Sequence, residues 1–258
     1  MNTLVFDIET IPDLEGGRRL YALDGLPDKE VGTILFHKRR QETGNSEILR
    51  HHLYRICAIS VVVHTSREFK VFSLGDATSS EQDLIKEFFA LIERYVPTLV
   101  SWNGSGFDLP VLHYRSLMHT IAAPKYWGMG EEDKEFRSNN YISRYHWRHT
   151  DLMDVLAAYQ TQASVSLDEL SILCGLPGKM GMSGQKVWDL YLEGKAASIR
   201  QFSEIDVLNT FLLFTRFEFM RGKLLPSALE SRTTQVRNYL AAQSQPHFQE
   251  FLQAWKSN

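Results

Sequence analysis

Four acidic residues of this 258-residue chain stand where carboxylates can do chemistry. Asp7 and Glu9 lie two apart at the end of the apolar stretch Leu4-Val5-Phe6. Side chains alternate across a strand, so both project to one face, and one cation could be gripped by both. An Asp-x-Glu pair can equally mark a strand end that meets solvent. Asp108 follows Asn103 in the spacing Asn-x-x-x-Phe-Asp, where a strand hands over to a helix at a glycine-bearing turn. A helix N-cap is its plain alternative. Asp206 falls inside a long apolar helical stretch. An unpaired buried charge there is strongly unfavourable, so it needs a cation or a partner, unless it lies on the helix surface beside Glu204. Hard oxygen donors without His or Cys favour magnesium or manganese over zinc. Two such ions about 4 Å apart activate a water and stabilise a leaving oxygen in phosphodiester cleavage, so the chemistry open to this set is phosphoryl transfer to water.

The elements that must position these groups follow from periodicity. Residues 4–7 read as a short buried strand and 55–63 as a second, continuous apolar one. Between them, 13–53 reads as an insertion of mixed character with some helix, either a flap or a solvated loop. Residues 69–74 give a third strand, and Ser80 with Asp83 opens an amphipathic helix that ends before Pro97. Residues 98–102 form a fourth strand, and a helix over about 108–119 offers Leu109, Leu112 and Leu117 as its buried face. A short strand ends at Thr150 and Asp151, with a helix after it in which Asp151 and Asp154 read as capping residues. The rest is helical: 167–174 capped by Ser166, a glycine-rich loop over 175–184, helices over 185–192 and 199–221, and a helical tail over about 228–255. Tyr239 and Trp255 in that tail could dock on the core or on a partner. Strands in the first half and helices in the second predict an α/β mixed sheet flanked by helices, compatible with a ribonuclease H-like fold.

With 43% hydrophobic and 12% aromatic residues the chain can bury a sizeable core, which excludes disordered and fibrous classes. No signal-peptide pattern and no run of 18 apolar residues occurs, so the expected setting is soluble, cytoplasmic and away from membranes. Cys57 and Cys174 stand far apart and predict neither disulfide nor zinc site. The net charge of −3 argues mildly against a general nucleic-acid binder. With four carboxylates committed to cations, however, the remainder carries +1, and basic clusters appear at 37–40 and 137–149. The second cluster interleaves Arg137, Arg144 and Arg148 with Trp127, Tyr141, Tyr145 and Trp147, a pattern suited to single-stranded nucleic acid or to aromatic anchors of an irregular segment. Gly178-Lys179-Met180-Gly181 could present a lysine and backbone N–H groups to a phosphate, although it lacks the full P-loop pattern.

Phe6-Asp7-Ile8-Glu9-Thr10, the run from Ser101 to Pro110, and Glu204-Ile205-Asp206-Val207-Leu208-Asn209-Thr210 resemble the three motifs of the DEDD exonucleases. Within that superfamily the chain is similar to stand-alone proteins akin to the proofreading exonuclease domain of family B DNA polymerases. LFHKRRQETG, FRSNNYISRYHWRHTDLMDVL and LCGLPGKMGMSGQKVWDLY extend the resemblance over about residues 1–222, which leaves 223–258 as a helical tail. The resemblance implies that Asp7, Glu9, Asp108 and Asp206 hold two divalent cations, Mg2+ or Mn2+. It further implies 3'-5' hydrolysis of single-stranded DNA or RNA ends, with DNA favoured. Asn103 and Phe107 would touch the terminal nucleotide, and Thr10, Tyr141, Arg144 and Lys179 are the further substrate-binding candidates. One departure stands out. The tyrosine-bearing subgroup has Tyr four residues before the last Asp, and here that position is Phe202; the histidine-bearing subgroup has His five residues before it, and here that position is Gln201. Ser203, Gln201 and His149 are the residues that could compensate. The expectation is slow metal-driven hydrolysis, and its rival is a catalytically impaired nucleic-acid-binding module that keeps the metal site.

Overall fold

The computed structural model describes residues 2–76, 78–181 and 184–255, so Met182 and Ser183 of the glycine-rich loop lie outside the described residues. β1 (Thr3–Pro12) is followed by α1 (Leu14–Tyr21), α2 (Asp28–Thr43), β2 (Tyr54–His64) and β3 (Phe69–Ser73). α3 (Glu81–Tyr95) starts where the Ser80 side chain accepts from the Asp83 N–H, and it stops at Val96, just ahead of Pro97. β4 (Thr98–Ser101), α4 (Asp108–Met118), α5 (Pro124–Trp127), β5 (His149–Asp151), α6 (Leu152–Leu156) and α7 (Leu167–Leu173) come next. α8 (Val187–Leu192), α9 (Ala196–Met220), α10 (Pro226–Ala241) and α11 (Pro246–Ala254) complete the order.

The strands form one mixed sheet in the order β3-β2-β1-β4-β5. β1 pairs antiparallel with β2 and parallel with β4, while β2–β3 is antiparallel and β4–β5 parallel. This is the expected α/β mixed sheet flanked by helices. Alternation along β1 sorts the two faces. Leu4, Phe6 and Ile8 pack with Phe88, Phe89, Leu109 and Leu112 from α3 and α4. Val5, of opposite parity, packs with Val207, Phe211 and Phe214 from α9. Asp7 and Glu9 share the parity of Val5, so they are presented to α9.

Two expectations need correction. Leu117 is 80% exposed, whereas Leu109 and Leu112 are buried. Five residues from Leu112 carry Leu117 roughly 140° around the helix, and Ser116, bonded to the Leu112 carbonyl, takes the inward place. Residues 13–53 are no irregular loop: α1 and α2 pack Leu14, Val31, Leu35, Leu49 and Leu53 into a small core of their own. Gly32 lets that lobe close on Trp188, because a Cβ there would stand 2.6 Å from the indole. The tail is helical as expected and is made of two helices, since Pro246 lacks the N–H that would continue α10 and instead sits in the first turn of α11. Both helices lie on the core. Val236, Leu240, Phe248, Phe251 and Trp255 join the α9 cluster, and the Tyr239 hydroxyl meets the backbone of Val71 at 3.1 Å. No helix among the described residues is long and apolar enough to cross a membrane, and Cys57 and Cys174 are free thiols.

Candidate active site

β4 ends at Ser101 and its ladder with β1 ends at Val5–Val100, so the next stretch of β1 has no strand beside it on that edge. Asp108, the first residue of α4, fills the gap: its Oδ1 accepts the Ile8 N–H at 3.1 Å. The N-cap position belongs to Phe107, so Asp108 turns its carboxylate to β1 and not to its own helix. On the other edge the β1–β2 register shifts between Glu9 and Thr10, a bulge directly after the acidic pair, and pairing resumes at Thr10–Ile56.

The turn from Asn103 to Phe107 is tight. Asn103 takes the left-handed conformation (φ 62°), which asparagine tolerates better than most residues, and its carbonyl accepts from Gly106 and Phe107. Gly104 is required by close approach, because a Cβ there would stand 2.3 Å from Ser101 Oγ. Asp151 holds the turn from the end of β5: its two oxygens accept the N–H groups of Asn103 (2.9 Å) and Ser105 (2.8 Å). Its predicted role as the cap of α6 is also present. Phe107 is partly exposed, and its ring leans on Tyr54 (5.3 Å) and His51 (5.8 Å), whose Nε2 contacts the Gly106 carbonyl. The 13–53 stretch therefore touches the second motif at its far end.

From α9, Asp206 is buried against β1, and the Ser203 hydroxyl, one turn earlier, donates to Asp7 Oδ2 at 2.8 Å. Asp7, Glu9 and Asp206 each offer an oxygen within 4.8 Å of the others. Donors on opposite sides of a cation at 2.1–2.5 Å stand about 4–5 Å apart, so this spread fits one coordination shell. Asp206 Oδ1 is buried with no hydrogen-bond partner among the described residues, whereas its Oδ2 is bonded to the Lys179 ammonium. An orphaned oxygen facing two further carboxylates is a donor set that suits a hard divalent cation. Asp108 lies next to this set, near enough to act on the charge of Asp7.

Electrostatics agree. Burial, followed by the neighbouring carboxylates, raises Asp7 and Glu9 well above the ordinary carboxylate range. Burial lifts Asp108 to about 7; it lifts Asp206 to about 6 against the pull of Lys179. Burial also works against the Lys179 charge, but Asp206, Asp7 and Glu9 outweigh it and hold the lysine protonated. One ammonium cannot balance four ionised carboxylates, so they hold protons more tightly than ordinary carboxylates do, and divalent cations would take the protons' place.

Phe202 is buried with Ile11, Ala58, Val187 and Ile199, and the Lys179 Nζ stands 4.9 Å from its ring centre. Of the three compensating candidates only Ser203 reaches the carboxylates. Gln201 is exposed, and His149 is buried behind β4 with Nε2 on Ser101 Oγ at 2.9 Å. Burial drives His149 down to about 4, so it is neutral. Thr10 is partly exposed beside the bulge. Tyr141 is no stacking platform: it is 2% exposed, lies parallel to Tyr126 and donates its hydroxyl to the Pro97 carbonyl. An aromatic inside an irregular segment anchored that segment instead. Arg148 is likewise spent, on the Asn139 carbonyl and the Phe136 ring. Arg144 stays at the surface, paired with Asp154 (3.1 Å) and laid over Tyr159, with Tyr145 and Trp147 exposed nearby in sequence. Asp151, the clamp on the Asn103 turn, was assigned only its capping role from sequence, since Asp before a helix gives no sign of a second partner 48 residues away.

Residues 46–255 match the model of a family described as a predicted 3'-5' exonuclease related to the exonuclease domain of PolB. That span holds Asp108 and Asp206, while Asp7 and Glu9 precede it. Among solved structures, the family B DNA polymerase from the hyperthermophilic archaeon Pyrobaculum calidifontis is similar at 14% identity and a TM-score of 0.50. The likeness covers 100% of this chain and 27% of the polymerase, and at that identity it is a likeness of fold. No curated protein matches the chain.

Proposed function

This chain belongs to the family of predicted 3'-5' exonucleases related to the exonuclease domain of PolB, and from that premise we propose that it is an active, metal-dependent enzyme. It would hydrolyse phosphodiester bonds at the 3' end of single-stranded nucleic acid, DNA in preference to RNA. The observation that carries this reading is the convergence of Asp7, Glu9 and Asp206 within 4.8 Å, with one Asp206 oxygen left unsatisfied. With Asp108 these residues would hold two divalent cations, Mg2+ or Mn2+, which when bound supply the acidity that activates water and stabilises the leaving oxygen. Ser203 fixes the Asp7 carboxylate by hydrogen bond. Lys179, anchored on Asp206, stands where a scissile phosphate brought to the carboxylates would meet a positive charge. Asn103 and Phe107, on a turn held by Asp151, would receive the terminal nucleotide, and Thr10 and Arg144 would contact the strand further out. We take residues 1–222 as the catalytic domain and 223–258 as its docked tail, working in the cytoplasm.

A second reading has one observation in its favour: Phe202 offers no hydroxyl to the water, which fits an impaired module that binds nucleic acid without cutting it. Single-stranded DNA and RNA labelled at the 5' end, incubated with magnesium, manganese or chelator, separate the two. A descending ladder that needs metal and vanishes in Asp7→Ala supports the enzyme. Intact substrate in both metals, together with salt-sensitive binding, supports the module.

A further inference from the structure

A recess of about 420 Å3 lies at the pole of the sheet opposite the carboxylates. Thr3, Trp147, Glu218, Arg221, Lys223 and Arg232 line it. Along β1, Thr3 is about 13 Å from Asp7 at ~3.3 Å per residue, and along α9, Glu218 is about 18 Å from Asp206 at ~1.5 Å per residue. It is therefore a place apart from the candidate active site, and its reading does not depend on the exonuclease assignment. We propose that this recess binds a phosphate group, either free or carried by a mononucleotide, on the guanidinium groups of Arg221 and Arg232.

Three cationic side chains meet one carboxylate here, in a chain whose overall charge is −3. Glu218 is buried and stands 2.7 Å from Arg221 Nε, yet both atoms lack an aligned hydrogen bond, so the contact joins charges without using the donor. Arg221 lies over the Trp147 ring at 4.2 Å, which fixes its plane and leaves its terminal N–H groups free of partners among the described residues. Arg232 comes from the other wall, in the middle of α10. It is half-buried and makes neither ion pair nor hydrogen bond among the described residues. Its field reaches His64, which burial first and Arg232 second hold down at about 4.

A helix end could account for part of this, because Arg221 and Lys223 follow the C-terminus of α9, where cations are favoured. It does not account for Arg232. Burial works against the Arg232 charge and the Glu218 carboxylate supports it only in part; that one carboxylate also faces Arg221, so two guanidinium forks at one recess leave room for the bidentate geometry of a phosphate. The size lies within the range of small-molecule sites, and the half-exposed Trp147 gives a base an aromatic surface to meet.

Calorimetric titration of the full chain in chelator, with inorganic phosphate and separately with 5'-dAMP, tests the site. Saturable 1:1 binding is expected, weakened roughly tenfold or more by Arg232→Met and by Arg221→Met. A tighter fit for 5'-dAMP identifies a mononucleotide site, and equal affinities identify the phosphate group alone. Should Arg232→Met melt below the assay temperature, Lys223→Gln on the exposed turn gives the same reading with a loss of roughly threefold. Binding of neither probe, binding unmoved by all three substitutions, or binding abolished by Lys179→Met overturns the proposal.

Discussion

Phe202 holds the ring of a water-handling residue without its hydroxyl, and Lys179 above that ring pairs with Asp206. In the proposed reaction metal activation would have to do without that hydroxyl, whose positioning help is worth about 10²- to 10⁴-fold. Phe202→Tyr is expected to raise the single-turnover rate in manganese at least tenfold; a rate no higher than the parent's would show that the hydroxyl has no role here. Asp108 gives a second test at this scale. Its proton is held to about pH 7 in the fold, against 3.8 for an ordinary Asp, so between these values the folded chain binds a proton that the unfolded chain has lost. Stability from this group is full below about pH 4 and drains away as pH rises through 7. In chelator, Asp108→Asn should melt with the parent near pH 4 and above it at pH 8, by at most about 4 kcal/mol at ~1.4 kcal/mol per unit. An advantage that shrinks with rising pH would contradict the assigned burial.

At the scale of elements, the site is a junction of strand ends and helix starts fixed by a few long-range bonds. Asp151 ties β5 to the Asn103 turn and caps α6 with the same carboxylate. Asp151→Ala frees two N–H groups and a cap, a loss of about 2–3 kcal/mol. If the turn positions the terminal nucleotide, kcat/KM should fall tenfold or more, because misplacement by an ångström carries penalties of that size. Thermal melts and steady-state kinetics on the same preparation check both. Unchanged kinetics in a destabilised variant would confine Asp151 to a structural role. β1 shows how far the chain itself dictates this junction. Its alternation predicts that Asp7 and Glu9 share a face, whereas the register shift directly after Glu9 appears only in the paired sheet. Nothing in the 103–108 stretch announces that its turn would be held from β5, since that contact spans 48 residues.

Over the whole molecule, the tail is part of the core that backs α9. Phe251 and Phe248 pack with Phe211 and Phe214 of α9, and His247 of α11 reaches Glu204 two residues before Asp206. Glu204 in turn accepts from the Ser73 backbone and hydroxyl, so α9, β3 and α11 close on one carboxylate. Phe251→Ala should therefore cost about 3–5 kcal/mol, a loss to be measured by denaturant unfolding. A cost below about 1 kcal/mol would mean that α11 is only loosely attached.

Some of this was fixed by the order of residues alone. The acidic pair on one strand face, the helix caps at Ser80 and Ser166 and the mixed sheet with flanking helices all follow from neighbours in the chain. Backbone alternation, capping and helical period are local properties, so a local pattern suffices to read them. Other decisions belong to tertiary structure: that Tyr141 anchors its segment, that Leu117 faces solvent, that Ser203 holds Asp7 across 196 residues, and that α10 and α11 lie on α9. Each depends on which surfaces meet once the sheet register is set. A side chain's type states what it can do, and only its packing partners decide which of those things it does.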